Sequence, residues 1–193
     1  MKKLNAKEIL VPAVSLFIIC LVVTALLAVT NMVTAPKIDE LAAERQDEAK
    51  KVVLSDAESF SDEKTVEKDG VQYKYYEGLS QSEEKIGYVF LTSAKGYGGD
   101  IDIMVGIGND GSVKGVTVLS ISETAGLGMN AKNDKFLNQY KDKNSEISVI
   151  KTGTPSDNEI QALTGATITS KAVTSAVNTA LDLYKTAGGE VNG

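Results

Sequence analysis

At 193 residues the chain has room for one compact domain and a short accessory segment, and its apolar and charged fractions are those of ordinary globular proteins. Its 20 basic against 26 acidic residues leave a net charge of -6, which excludes the basic face that binding to nucleic acid needs. With no His, no Trp and one Cys it cannot build a Ser-His-Asp or Cys-His nucleophile, a His-ligated zinc or haem, or a cysteine-ligated iron–sulfur cluster.

The first predicted element is the uncharged run ILVPAVSLFIICLVVTALLAVTNMV, residues 9–33. It exceeds the roughly 20 residues that cross a bilayer core and reads as a transmembrane helix in contact with lipid. A cleaved signal peptide would carry a shorter apolar stretch, roughly 7–15 residues, ending at a small-x-small site, so a retained anchor is expected. Lys2, Lys3 and Lys7 precede the run within a short N-terminus, residues 1–8. The positive-inside rule then puts that N-terminus in the cytoplasm and the rest of the chain outside it.

Past Pro36, Ile38, Leu41, Ala42, Ala49, Val52 and Val53 recur at near-helical spacing among charges, which predicts an amphipathic connecting helix within residues 34–56. The stripe is thin, and a solvated stalk fits it equally well. From residue 70 the pattern changes to short β-rich runs at 71–76, 86–92, 101–107, 113–121 and 147–151. Asp69-Gly70, the glycines of 96–99 and Asn109-Asp110-Gly111-Ser112 punctuate them as turns, the last a hairpin. The 96–100 segment, Gly-Tyr-Gly-Gly-Asp, reads either as such a turn or as a contact to a ligand or partner. Tyr73, Tyr75, Tyr76 and Tyr88 lie on strand-like runs, where packing is the ordinary role. A short surface helix is predicted over 132–142. The expected fold class is α/β in the α+β sense: a twisted, mostly antiparallel sheet with packed helices over residues 57–187, ending in a polar tail, 188–193.

The last element carries the candidate chemistry. From Thr167 to Lys185, Ile168, Ala172, Ala176 and Ala180 with Val173, Val177 and Leu181 share one face, a clear amphipathic helix. Thr164 stands where an N-cap is expected, and Gly165 and Ala166 leave the first-turn N–H groups and the Thr167 hydroxyl accessible. Those donors and the positive end of the helix dipole suit a phosphate. Spacing alone leaves two readings open: a capped helix start with a close-packing glycine, or a phosphate site.

The LTGATITS segment resembles the flavin-attachment motif of the FMN-binding subunits of Rnf-type and sodium-pumping NADH:quinone oxidoreductase complexes. In that motif an acidic residue, two variable residues and Ser or Thr precede Gly-Ala-Thr or Gly-Ala-Ser. The resemblance implies FMN joined by a phosphoester to Thr167, with Thr164, Gly165 and Ala166 completing the motif; Gln161 stands at the acidic position. A second stretch, Ser122-Glu123-Thr124-Ala125-Gly126-Leu127-Gly128, resembles the family's Glu-Thr-Pro-Gly-Leu-Gly loop with Ala125 for Pro. It implies that Glu123, Thr124, Gly126, Leu127 and Gly128 lie beside the flavin, the glycines allowing close backbone approach and Glu123 and Thr124 touching the ring edge.

The resemblance spans nearly the whole chain, and its compact length favours the RnfG family of Rnf complexes over the homologous NqrC family of the sodium-pumping enzyme. It implies an electron-carrying, non-catalytic subunit of an ion-translocating ferredoxin:NAD oxidoreductase in the cell membrane. Its partners would be the other Rnf subunits, and a flavin transferase would be needed for maturation. NAD binding is not expected, because no strand–GxGxxG–helix unit is present. A membrane-anchored assembly module without flavin is the alternative that Gln161 supports.

Overall fold

A computed structural model describes residues 6–187 of the chain. Of the expected N-terminal tip, residues 1–5 with Lys2 and Lys3 lie outside the described residues, as does the tail, 188–193. The chain divides after Glu44 into two compact units.

The first unit is helical. Helix α1 runs Ala6–Val53, with Pro12 and Pro36 inside it. The anchor and the connecting helix, expected as separate elements about Pro36, are therefore one helix. A proline removes one ladder hydrogen bond and crowds the carbonyl four residues back, yet a long helix on either side can absorb that defect. Every residue from 10 to 34 is exposed, among them Leu10, Phe17, Leu21 and Met32. This segment is long and apolar enough to cross a membrane. The predicted stripe beyond Pro36 is only partly used. Ile38, Leu41 and Val52 are exposed, whereas Ala49 and Val53, both in the second unit, are buried.

The second unit is an α+β domain. Its main sheet is built from β1 (Ser59–Phe60), β2 (Lys64–Lys68), β3 (Val71–Leu79), β4 (Lys85–Lys95), β5 (Asp100–Gly108) and β6 (Val113–Ser120). All pairs are antiparallel in the order β3-β4-β5-β6, with β1 and β2 sharing the outer edge of β3. The β2–β3 turn places both Asp69 (φ 53°) and Gly70 (φ 77°) in the left-handed region, the geometry of a two-residue hairpin loop. Four predicted strands are thus present, three of them longer than expected and β6 one residue shorter. The fifth, β7 (Ser148–Ile150), pairs in parallel with β8 (Glu159–Gln161), a strand too short and polar to signal itself.

Both faces of the main sheet are covered, but unequally. Helix α3 (Thr167–Thr186) lies on one face, where Val173, Val177, Ala180, Leu181 and Tyr184 join Tyr88, Phe90, Ile103, Val105 and Ile107. Opposite, the end of α1 and the residues after it contribute Ala49, Val53, Leu54 and Ala57 against Tyr76, Val89 and Met104. Burial along β5 records this: it alternates through Asp100, Ile101, Asp102 and Ile103, then becomes continuous to Gly108. Gly106 makes the close approach possible, because a Cβ there would overlap the Val53 carbonyl.

The surface helix expected over 132–142 is replaced by a 3-10 turn (Gly128–Lys132), the single-turn helix α2 (Asp134–Leu137) and a second 3-10 turn (Asn138–Tyr140). Ala131, Phe136, Leu137 and Tyr140 are all buried, a spacing no single helical face supplies. Two polar contacts lock α3 to this layer. The Tyr140 and Thr174 hydroxyls pair at 2.8 Å in the interior, and burial pushes the Tyr140 phenol well above its ordinary pKa. The Asn178 amide accepts from the Ile147 N–H and donates to the Ile147 carbonyl, both at 2.9 Å.

Candidate functional site

The approach to α3 is a four-residue turn, 163–166, closed by the Ala166 N–H donating to the Leu163 carbonyl at 3.0 Å. Gly165 occupies its third position with φ +75°, where a side chain would be strained. The N-cap is Ala166, not Thr164, and no side chain caps the helix. Thr164 lies two residues earlier and is exposed, because the left-handed Gly165 inserts a turn before the helix begins. Alanine has no oxygen to offer the first-turn N–H groups, so that turn keeps its donors available for an anion.

Thr167 is the first helical residue and is half-buried. The hydroxyls that follow are engaged: Thr169 donates to Glu123, Ser170 to the Ala166 carbonyl and Thr174 to the Ser170 carbonyl. The Thr167 hydroxyl has no such partner among the described residues. Ile168, expected on the buried face, is 55% exposed, because the packed stripe starts a turn later with Ala172 and Val173. Ser170 also receives the Leu163 N–H at 2.9 Å and so ties the turn to the helix it precedes.

The second motif is folded against the first. After β6, residues 122–128 form a loop in which the Thr124 carbonyl accepts from the Leu127 and Met129 N–H groups. Gly126 has φ +77°, and its carbonyl accepts from the Asn130 side chain. Leu127 is 43% exposed and reaches Gly165, where an added Cβ would come within 2.9 Å of Leu127 Cδ2. Two segments about 40 residues apart in sequence therefore meet at one point, with Thr124, Gly126 and Leu127 on the open side and Gly128 buried beneath.

Glu123 differs from its expected role at a ring edge. Its Oε1 accepts from the Tyr97 and Gly98 backbone N–H groups at 2.7 and 3.1 Å, and its Oε2 accepts from the Thr169 hydroxyl at 3.0 Å. Both oxygens thus face protein donors. A Cβ at Gly96 or Gly128 would overlap this carboxylate, and one at Gly98 would overlap the Ser122 carbonyl. The 96–99 segment is accordingly the β4–β5 hairpin turn, closed by Gly96 N–H donating to the Gly99 carbonyl, while the Tyr97 ring projects 74% exposed.

Beside the turn lies an open cleft of about 780 Å³, lined in part by Asn130, Phe136, Gln139, Gln161, Leu163 and Thr164. Gln161 is anchored within it: its backbone exchanges two hydrogen bonds with the Gln139 side chain, and its own amide donates to the Lys151 carbonyl at 3.0 Å. A carboxylate at this position could not make that last bond. Sequence reasoning passes over Thr169 and Ser170, although two hydroxyl residues in a first helical turn, where they are mediocre helix formers, are a signal that their side chains bond locally or across a site.

The chain is similar to known proteins over most of its length. Residues 96–182 match the FMN-binding domain family, and residues 1–52 match the RnfG N-terminal region. The chain is 38% identical over 186 residues to the G-type subunit of the Na(+)-translocating ferredoxin:NAD(+) oxidoreductase complex of Acetobacterium woodii, covering 88% of each chain. It is 33% identical over 172 residues to the corresponding subunit of the proton-translocating complex of Clostridium ljungdahlii, covering 89% of each. Among solved structures, NqrC of Shewanella oneidensis superposes with a TM-score of 0.52 at 20% identity, covering 64% of this chain and 66% of that one. That likeness is one of fold.

Proposed function

The chain belongs to the RnfG family, subunits of Rnf ion-translocating oxidoreductase complexes, and carries an FMN-binding domain; from this we propose that it holds FMN by a phosphoester to Thr167 and relays electrons within a membrane-bound ferredoxin:NAD oxidoreductase complex. The observation that carries the reading is the start of α3. There an alanine N-cap leaves the helix donors without a side-chain partner, and among the described residues Thr167 is the one hydroxyl of the first turn of α3 that makes no hydrogen bond, since Thr169 and Ser170 are both engaged.

When bound, FMN supplies the electron-transfer chemistry, for which no side chain of this protein is suited. The residues bind and orient. Thr167 is the tether, and the N–H groups of the first turn, with the helix dipole, favour the phosphate charge. Gly165 and Ala166 keep side-chain bulk away from the linkage, while Thr164 borders it. Thr124, Gly126, Leu127 and Gly128 form the adjoining wall, with Leu127 supplying apolar surface.

In the cell, residues 9–33 are the single membrane span, the N-terminus is cytoplasmic and the α+β domain stands on the other side of the membrane. The length and exposure of α1 support the span, and Lys2, Lys3 and Lys7 support the orientation. Partners are the other subunits of the complex, with a flavin transferase acting during maturation.

The deciding experiment is in-gel flavin fluorescence of the full chain coexpressed with a flavin transferase. Wild type and Thr164→Ala are expected to fluoresce after denaturation and Thr167→Ala to be dark; a dark wild type would overturn the reading. The same result would favour a flavin-free assembly module, for which Gln161 at the acidic motif position is the supporting feature. Expression without the transferase should give colourless protein.

A further inference from the structure

Three segments surround the proposed attachment point: the 96–99 hairpin turn, the 122–128 loop and the first turn of α3. Among the described residues, the side-chain hydrogen bonds that join the hairpin turn to the other two all run through Glu123. One oxygen gathers the Tyr97 and Gly98 N–H groups. The other holds the Thr169 hydroxyl, two residues past Thr167 on the same helical turn. The surrounding glycines leave room for the carboxylate and little else, since a methyl at Gly96 or Gly128 would collide with it.

We infer that Glu123 is a positioning residue, which sets the hairpin turn and the Leu127 loop against the start of α3 so that a flavin tethered at Thr167 meets a fixed wall. The proposal rests on the reading of Thr167 as the tether. It departs from a direct contact between Glu123 and the cofactor, because each carboxylate oxygen is already directed at a protein donor. Charge-assisted bonds to backbone N–H groups are among the stronger polar ties a fold can make, and this carboxylate makes two with one atom. Leu127 reaches Gly165 only if the loop carrying Glu123 stays seated against α3. Loss of the brace therefore loosens the wall without touching the attachment hydroxyl.

The test uses the full chain in detergent, coexpressed with the transferase, with two readouts. Amide hydrogen exchange of the peptide containing Tyr97 and Gly98, measured on Thr167→Ala protein that carries no flavin, reports the brace itself. The visible circular dichroism of the flavin in loaded protein reports how rigidly the ring is held. Glu123→Ala is expected to speed exchange at these amides by about tenfold or more, the scale for removing a charge-assisted acceptor. It should also collapse the flavin dichroism while leaving covalent fluorescence detectable.

Glu123→Gln retains the acceptor for Tyr97 and Gly98 and can donate to Thr169, so it should restore both signals toward wild type. Should Glu123→Ala fail to fold, the near-isosteric Thr169→Val, which removes one of the three bonds, decides through the same dichroism with a partial loss expected. Wild-type dichroism and exchange in Glu123→Ala, or wild-type dichroism in Thr169→Val where Glu123→Ala is lost, would overturn the inference. A wild type with no covalent flavin would instead sink the tether, and the exchange measurement would still read the brace.

Discussion

The two ends of α3 are built to different rules. Its C-terminal half is packed: Ala180, Leu181, Leu183 and Tyr184 are almost wholly buried, the Tyr184 ring meets Tyr88 edge-on, and its hydroxyl donates to the Asn109 carbonyl. Its N-terminal turn is left open, with an alanine cap, an exposed Ile168 and the unengaged Thr167 hydroxyl. The apolar half anchors the helix so firmly on the sheet that the other end can forgo its own cap. A capping side chain there is worth only about 1 kcal/mol, while the buried half contributes several times that. A helix secured at one end can thus leave its donors uncompensated at the other.

If that contrast is right, substitutions at the two ends should separate stability from flavin content. Thr167→Ala should abolish covalent flavin altogether, while thermal unfolding of the unmodified full chain stays within about 0.5 kcal/mol of wild type. Leu183→Ala, at a site with no exposure, should do the reverse, costing about 2–5 kcal/mol by urea unfolding while the protein that remains folded still takes up flavin. A large stability loss in the first variant would erase the contrast.

Asn178→Ala lies between the ends and removes both partners of the Ile147 backbone groups. A cost of about 1–3 kcal/mol is expected, visible as faster exchange at the Ile147 amide. The smallest effect is electrostatic. Asp182 is held below its ordinary pKa, chiefly by the hydrogen bond from Lys68, which also raises the Lys68 pKa. A lowered carboxylate pKa contributes stability that is present above the unfolded value of about 4 and lost as pH falls through the folded value. For Lys68 the contribution is complete below its unfolded value and fades as pH rises through its raised one. The pair is partly exposed, so Asp182→Asn should cost under about 1 kcal/mol at neutral pH and flatten the acid limb of the stability profile.

Legibility follows how local each cause is. The long apolar helix, the strands from β3 to β6 and the stripe of α3 are visible because hydrophobic period and turn residues act over a few positions. Pro36 misleads for the same reason: a local helix breaker is outweighed by long helical flanks. The single-turn α2 and its 3-10 neighbours are only partly legible: Phe136, Leu137 and Tyr140 share a helical face and suggest one helix, while the buried Ala131 lies off that face and is drawn inward by tertiary packing. At the site, Gly165, Ala166 and Thr167 are legible as a motif. Thr164 reads wrongly as the cap because nothing local reveals that Gly165 turns left-handed.

Residue types and their order establish which side chains could carry the chemistry. The absence of His and the single Cys exclude His- and Cys-dependent chemistry, and the TGAT turn before an amphipathic helix marks a candidate phosphate site; a tethered flavin there is what the family resemblance implies. The part played by Glu123 comes from tertiary contact instead. A carboxylate in a glycine-rich loop can face a ligand or the protein with equal local propensity, and the choice is made by donors from residues 97, 98 and 169, which chain folding alone brings within reach.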